Sequence, residues 1–226
     1  MTFSIVAFDR ESGAVGVAIT TSSIAVGSRC PWVRAGVGAV ATQNITDPTL
    51  GNAILDLIQS GVDAKTALDA TVSASPSINY RQLTVVDTGG TIAHYTGKHI
   101  LGTNAVATGE DCIAAGNLLA NESVPPAMVS AFCSRKSGLN LAESLIRSLL
   151  AGIDAGGEQG PVHSAAVLVA CRHSWPEVDL RVDWDDSDPV GKLYGLWEAY
   201  RPQREDYLLR AVSPEAAPSY GVPGDL

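Results

Sequence analysis

The strongest constraint on the fold comes from two neighbouring segments that read as strands and carry almost no charge. Residues 2–9 (TFSIVAFD) are rich in β-branched and aromatic side chains, and residues 14–21 (AVGVAITT) follow after the turn-forming residues 9–13. This pattern predicts a β-hairpin. Because neither face of the second segment is charged, we expect that strand to be covered on both sides, as in the middle of a layered structure.

The order of the other expected elements excludes simple alternation of strands and helices. Residues 22–34 read as a loop. We expect further strands at 36–43, 81–87, 91–96, 112–116, 164–171 and 178–182, and helices at 48–60, 64–73, 125–134, 141–152 and 190–200. Blocks of two or three like elements argue against a doubly wound parallel sheet or a barrel of eight β/α units. They favour two stacked sheets with a helix layer outside each.

Length and composition indicate one globular domain. The 226 residues are 46% apolar and 17% charged, which is too apolar for a disordered chain and too lightly charged for a long coiled coil. A chain of this length buries roughly 70% of its unfolded surface. We expect a single domain over residues 1–210 and a poorly ordered Pro/Gly-rich tail over residues 211–226.

The net charge of −9 argues against nucleic acid and anionic membranes as partners, because both attract clustered Lys and Arg. No apolar stretch approaches the ~20 residues that span a bilayer. The first residues also lack the basic segment and apolar core of a signal peptide. We therefore expect a cytoplasmic protein that binds neither nucleic acid nor membranes.

Motifs for metals and cofactors are weak. The sequence has four widely spaced cysteines, which we expect to be core residues rather than disulfide or zinc partners: Cys30, Cys112, Cys133 and Cys171. Residues 36–41 match G-x-G-x-x-A but lie within a β-like run, where close sheet packing explains the glycines better. The acidic residues 184–188 fit a helix N-cap better than a calcium loop. We expect no metal and no organic cofactor.

Met1 and Thr2 carry the most specific chemical suggestion. Removal of the initiator methionine would leave Thr2 with a free α-amine beside its own hydroxyl. With a reference pKa of about 7.7–8.0, roughly a tenth to a fifth of such amines are neutral at pH 7. The amine can then take the proton of the Thr2 hydroxyl, which becomes a nucleophile. The dipeptide alone is a weak signal, because many proteins begin with it.

Further segments make a comparison with a known family more specific than the dipeptide does. Together they extend over nearly the whole chain to about residue 200. They are residues 2–7, 9, 13, 16–18, 25–27, 31–32, 34–43 (RAGVGAVATQ), 81–82, 85–87, 95–97, 109–110, 115–117, 179–183 (DLRVD) and 188–190. In these segments the chain resembles an Ntn-hydrolase-like bacterial family, domain of unknown function 1028. The resemblance implies an α+β fold, the four-layer αββα sandwich of the N-terminal-nucleophile hydrolase type. It implies amide-bond hydrolysis only by analogy of fold.

Under this hypothesis the Thr2 hydroxyl attacks an amide carbon and forms an acyl-enzyme that water releases. Asn117 is the first candidate to stabilise the tetrahedral intermediate, and Gln43 and Asn44 are alternatives, since each follows a β-like run that can hold an amide rigidly. Asp9 either orients the amine or caps the hairpin turn; the sequence favours neither.

Five other residues are expected near the substrate, which we expect to be a small amide, peptide or cyclic amide. Arg34 and Arg81 are candidates to bind a substrate carboxylate, with surface ion pairing as the alternative. Ser22 and Ser23 are expected to line the mouth of the site. His163 lies where a glycine-rich loop enters an apolar strand, at a position where the resemblance leads us to expect an Arg-Gln-Ser-like segment.

Two other hypotheses stay open. One is a non-catalytic small-molecule or protein-binding module on the same fold, with Met1 retained. The other is a structural subunit, which predicts that the Thr2 end is buried without a cavity beside it. The apolar helix expected near residues 141–153 fits either a core or a dimer surface, and we expect a homodimer.

Overall fold

The computed structural model describes residues 1–222. The strands are β1 (Thr2–Asp9), β2 (Ala14–Thr21), β3 (Pro31–Arg34), β4 (Gly38–Asn44), β5 (Arg81–Asp87), β6 (Ile92–Thr96), β7 (Ala105–Gly109), β8 (Cys112–Asn117), β9 (Ser164–Ala170) and β10 (Val178–Val182). The α-helices are α1 (Thr49–Gln59), α2 (Ala64–Ala74), α3 (Val124–Cys133), α4 (Leu141–Asp154), α5 (Pro189–Tyr200) and α6 (Arg204–Val212).

The strands form two antiparallel sheets. The large sheet has the order β10-β9-β2-β1-β8-β7, and the small sheet has the order β3-β4-β5-β6. Strand β1 lies in the interior of the large sheet, between β2 and β8. Its first residue, Thr2, is paired with Thr21 on one side and with Asn117 on the other. The first residue of the central hairpin therefore lies between two polar residues.

Apolar side chains cover both faces of the large sheet. Phe3 and Ile5 of β1 belong to the core shared with α3, α4 and α5, which includes Trp197. Val6, with the opposite orientation, packs against Ala39 of the small sheet. Helices α1 and α2 form a separate core on the small sheet. The uncharged strand β2 is buried along its whole length, as predicted, and the mixed α+β class with antiparallel sheets is confirmed.

Three elements differ from the sequence prediction. The end of the expected loop at 22–34 forms β3, an edge strand that tolerates Pro31 because an edge needs fewer ladder hydrogen bonds. Strand β7, at one edge of the large sheet, was not predicted because it is short and only half-buried. Helix α6 was missed because it buries a single residue, Leu208.

Helix α6 also affects the predicted domain boundary. The boundary between residues 210 and 211 falls inside α6, and a 3₁₀ turn at Pro214–Ala216 follows it. This part of the expected tail is therefore helical, and residues 223–226 lie outside the described residues. The single domain over residues 1–210 stays a prediction.

Two smaller interpretations of the sequence can be compared with the structure. Gly38 packs closely in the sheet, since a Cβ at this position would lie 2.6 Å from the Val86 carbonyl oxygen. Asp188 caps α5 by accepting the Gly191 backbone N–H. The expectation that all cysteines are core residues is wrong for Cys133, which is exposed at the end of α3.

Within residues 1–222, no helix combines the length and apolarity needed to cross a bilayer. The four cysteines are free thiols. The Sγ of exposed Cys133 lies 3.9 Å from that of buried Cys112, and the other buried thiol is Cys30.

Two helical glycines give a matched test of this packing. A Cβ on Gly51 in α1 would lie 2.1 Å from Trp32 Cδ1, whereas a Cβ on Gly195 in α5 would meet nothing within 4 Å. We expect Gly51→Ala to lower the free energy of unfolding by roughly 1–3 kcal/mol through overpacking. Gly195→Ala should raise it by about 0.5–1 kcal/mol through helix propensity. Urea denaturation of both variants measures the difference, and a stabilising Gly51→Ala would show that α1 does not pack on Trp32.

Candidate functional site

A buried polar cluster lies between the sheets at the Thr2 end of β1. Side chains alternate along a strand, so Thr2 and Ser4 face the small sheet together with Val6. Thr21 and Asn117 share this orientation, because directly paired residues of adjacent strands project to the same face. Thr2 is only 6% exposed. The first residue of β1 therefore places its hydroxyl in the interior of the protein rather than at the surface.

Two hydroxyl groups converge on the Met1 carbonyl oxygen. The Thr2 hydroxyl donates to this oxygen at 2.6 Å, and the Thr21 hydroxyl donates to the same atom. The Thr2 and Thr21 oxygens are 3.1 Å apart. With Met1 attached, Thr2 has a peptide nitrogen in place of a free amine. The nucleophile predicted from the sequence can form only after Met1 is removed.

An amide ladder, formed by Ser4, Gln43, Gln82 and Asn117, links the sheets beside Thr2. Ser4 donates to Gln43 Oε1 at 2.7 Å, and Gln43 Nε2 donates to Gln82 Oε1 at 2.7 Å. Asn117 Nδ2 donates to the same Gln82 oxygen at 3.3 Å, and Asn117 Oδ1 is buried with no partner among the described residues. Both ends of the Gln43 amide are thus engaged, whereas Asn117 keeps hydrogen-bonding capacity.

Glu158 is the buried carboxyl group of the site. It lies in the loop after α4, where its backbone pairs with Leu119, two residues beyond Asn117. The residue is 6% exposed, and neither carboxyl oxygen has a hydrogen-bond partner among the described residues. Burial raises the pKa of Glu158 to about 8, although the positive charge of the Met1 amine and the Ser22 backbone amide act to lower it. Glu158 is therefore a carboxyl group within electrostatic reach of the chain's amine.

The serines predicted at the mouth lie directly after β2. Ser22 is half-buried and Ser23 is exposed. Ser23 Oγ accepts a hydrogen bond from Arg29 Nη2 at 2.7 Å and lies 3.4 Å from Thr21 Oγ1. The backbone N–H of His163 donates to the Thr21 carbonyl. The His163 ring stacks on Trp184, with 4.4 Å between the ring centroids, and its Nδ1 lies 3.2 Å from the Asp185 carbonyl oxygen.

Asp9 and Arg34 lie elsewhere. Asp9 is at the opposite end of β1, roughly 23 Å from Thr2 at ordinary strand rise. It accepts hydrogen bonds from the Ser12 backbone N–H and hydroxyl. The structure therefore supports its role in the hairpin turn and contradicts a role in orienting the amine. Arg34 pairs with Asp56 of α1, the surface ion pair that was the alternative to substrate binding.

Asn44 and Arg81 also make structural contacts. They pair across β4 and β5 and point away from the ladder, because each adjoins a ladder residue in sequence. The Asn44 amide donates to the Tyr80 carbonyl and accepts from the Leu101 N–H. The Arg81 guanidinium donates to the Ile45 carbonyl. A role for Asn44 in stabilising the intermediate and for Arg81 in binding substrate stays a prediction, with no contact to Thr2 to support it.

The geometry leaves two further observations. Among residues 1–222, no three His, Cys, Asp or Glu side chains are grouped to hold a metal ion. A cavity of about 460 Å³ lies beside the turn of the β1–β2 hairpin, lined by residues that include Asp9, Leu141, Cys171 and Arg204. It is at the far end of β1 from Thr2, and Met1 occupies the space directly next to Thr2.

Comparisons with known proteins place the sequence in a family. The model of a family of unknown function, DUF1028, matches residues 2–193. A solved structure of a DUF1028 protein from Silicibacter pomeroyi is similar, with 32% sequence identity, a TM-score of 0.81 and coverage of 88% of each chain. Anbu (ancestral beta-subunit) from Yersinia bercovieri aligns over 90% of this chain and 96% of that chain, with 9% identity and a TM-score of 0.39, too low to support an argument. A search of curated proteins finds no match.

The resemblance to this family is thus confirmed, and its Ntn-hydrolase part stays a prediction. Three residues near Thr2 were not predicted from the sequence, namely Thr21, Gln82 and Glu158. Thr21 and Gln82 carried no signal, because their importance depends on which strands are paired. Glu158 did carry one, because it is the only acidic residue of the glycine-rich loop at 156–160.

The raised pKa of Glu158 gives a test by pH. A carboxyl group whose pKa is higher in the folded than in the unfolded protein stabilises the fold below its ordinary value of 4.5, and this contribution is lost as pH rises to about 8. We expect Glu158→Gln to remove that dependence. The stability of the variant relative to wild type should rise between these pH values and level off above them.

Thermal or urea unfolding from pH 4 to 9 measures this difference in the full chain. Glu122→Gln, at an exposed position, is the matched control and should show a difference that does not depend on pH in this way. A flat profile for Glu158→Gln would mean that the Glu158 carboxyl group is solvated.

Proposed function

Given that this chain belongs to DUF1028, a family of unknown function, we propose that it is an amide hydrolase with Thr2 as its N-terminal nucleophile. One observation carries the proposal: the Thr2 hydroxyl lies at a buried polar end of the sheets, beside the Thr21 hydroxyl and Asn117. The unpartnered carboxyl group of Glu158 is close to the same chain end. Buried polar groups without partners are costly, and such sites are where catalytic chemistry is concentrated.

The proposal includes the four-layer αββα sandwich. Three features support it. The two sheets share an apolar core, helices α3, α4 and α5 cover the outer face of the large sheet, and helices α1 and α2 cover that of the small sheet. A nucleophile on the first residue of a central strand then faces the space between the sheets, where two layers can supply polar groups.

The chemistry proceeds in two stages after Met1 is removed. The Thr2 amine takes the hydroxyl proton as Oγ attacks the amide carbon, and it returns the proton to the leaving amine as the carbon–nitrogen bond breaks. Water then attacks the Thr2 ester and releases the carboxylic acid. The negative oxygen of each intermediate needs fixed donors. The Thr21 hydroxyl, which donates to the Met1 carbonyl, and the second N–H of Asn117 Nδ2 are suited to this role.

A binding module with Met1 retained is the second candidate. Its support is that Met1 is held by hydrogen bonds from two hydroxyls to its carbonyl oxygen and that Thr2 is buried beneath it. The same burial fits a structural subunit. The enzyme and the binding module differ in one covalent fact, whether Met1 is present in the mature protein, whereas a structural subunit predicts that no cavity lies beside Thr2. A cytoplasmic location and a homodimer stay predictions.

Intact-mass measurement and two substitutions of Thr2 test the enzyme proposal. We expect a mass that lacks methionine and hydrolysis of small amides. Thr2→Ser should keep measurable activity because it keeps a hydroxyl, and Thr2→Ala should lose it. Equal activity of the two variants, or a retained Met1, would reject the N-terminal nucleophile.

Asn117→Ala tests the assignment of the intermediate's donor. Loss of one such donor typically lowers kcat by ~10²–10³, and we expect a loss of this size with Thr2 processing unchanged. Asn52→Ala, at an exposed position of α1, is the control. Steady-state kinetics with thermal unfolding of each variant separates lost catalysis from lost folding, and unchanged kcat would leave Asn117 as a residue of the ladder alone.

A further inference from the structure

We propose that the acyl site accepts α-aminoacyl groups, so that the substrates are amides or peptides with a free L-α-amine, and that Glu158 binds this ammonium group. The inference rests on the proposed function and names its substrate class. Its starting point is that Met1 is itself an L-α-aminoacyl group attached to Thr2. Its carbonyl oxygen, amine and side chain each meet a separate feature of the site.

The carbonyl oxygen is the first point of agreement. It accepts hydrogen bonds from both Thr2 and Thr21. In the acyl-enzyme the acyl group is attached to Thr2 Oγ, which is 2.6 Å from this oxygen, rather than to Thr2 N. The two attachment points, Thr2 N and Thr2 Oγ, belong to one residue. Together with Cα, Cβ and the acyl carbon they would close a five-membered ring. The space filled by Met1 is therefore close to the space of an acyl group on Oγ.

The amine of Met1 is the second point of agreement. The positive charge of the Met1 amine acts to lower the pKa of Glu158, and the loop that carries Glu158 lies beside Met1 at Gly160. The amine and the Glu158 carboxyl group do not form an ion pair within 4 Å, and among the described residues no Lys, Arg or His pairs with Glu158. An ionised carboxyl group that is buried in this way requires a cation or a proton. A substrate ammonium supplies the cation and can donate to both free oxygens.

The side chain of Met1 is the third point of agreement. A Cβ built on Gly160 would lie 3.3 Å from Met1 Cε and 3.7 Å from Met1 Sδ. Glycine at this position therefore leaves room for the far end of an unbranched side chain. Gly160 and Glu158 belong to the same loop, which places the group that binds the ammonium and the wall of the side-chain pocket on one segment.

The test compares two p-nitroanilides with the protein that begins at Thr2, as verified by its mass. One is L-methionine p-nitroanilide, and the other is 4-(methylthio)butanoic p-nitroanilide, which lacks only the amine. We expect a kcat/KM at least about tenfold higher for the aminoacyl substrate, the effect of one charge-assisted hydrogen bond. Glu158→Gln should lower kcat/KM about tenfold more for the aminoacyl substrate than for the other. Glu122→Gln is the control and should keep the wild-type ratio.

Each other result has a defined meaning. Equal rates for the two substrates in wild type, or equal losses in Glu158→Gln, would overturn the inference while leaving the hydrolase proposal standing. If neither substrate is hydrolysed, calorimetric binding of L-methioninamide against 4-(methylthio)butanamide decides. Selective binding of the first that depends on Glu158 would support the part of the inference in which Glu158 binds the ammonium of an α-aminoacyl group, and the missing hydrolysis would count against the proposed function. Binding without selectivity, or no binding, would overturn the inference.

Gly160→Val gives a second readout. The added methyl groups fill the space beside Met1 Cε, so we expect kcat/KM to fall several-fold more for L-methionine p-nitroanilide than for L-alanine p-nitroanilide. An equal fall for both substrates would contradict the side-chain pocket, since a general distortion of the loop affects them alike.

Discussion

The pairing of β1 between β2 and β8 is the interaction on which the site depends. It places Thr2 opposite Thr21 and Asn117 at once, and the side-chain alternation of the strands directs all three toward the small sheet. A slip of one residue in either pairing would exchange the two faces of β1. It would turn Thr2 toward the helices and Phe3 toward the small sheet. The apolar cores on both faces therefore fix the register of β1, and with it the orientation of the Thr2 hydroxyl.

Polar groups buried at this end are costly, and most of them are compensated by one another. The amide ladder connects β1, β4, β5 and β8 by side-chain hydrogen bonds. Each side chain of the ladder therefore satisfies part of the hydrogen-bonding capacity of the next. Asn117 Oδ1 and the carboxyl oxygens of Glu158 are left without such partners. A protein under selection for stability alone can replace these groups by apolar ones at little cost. Their presence beside the chain's first residues is the physical reason for proposing a ligand there.

Parts of this site could be predicted from the sequence. Thr2 was selected because removal of Met1 would free its amine, and Asn117 because it follows a β-like run; the structure pairs the two residues across β1 and β8. Asp9 was selected from the same strand as Thr2, yet an extended strand carries its two ends as far apart as possible. Two residues of one strand that are seven positions apart are therefore not close in space, whereas two residues of one turn are. The backbone of His163 does contact Thr21, but its ring stacks on Trp184.

By itself, the sequence determined the local elements, because hydrophobic period, turn residues and capping residues act over a few positions. The central hairpin, α1, α2, α4 and the Asp188 cap of α5 follow from such short-range patterns. Only the tertiary structure decided which strands are neighbours, and hence that Thr21, Gln82 and Glu158 surround Thr2. These residues are tens of positions apart in the chain, and their environment arises from burial between two sheets. Burial also sets the pKa of Glu158, a property that no local pattern of residues encodes.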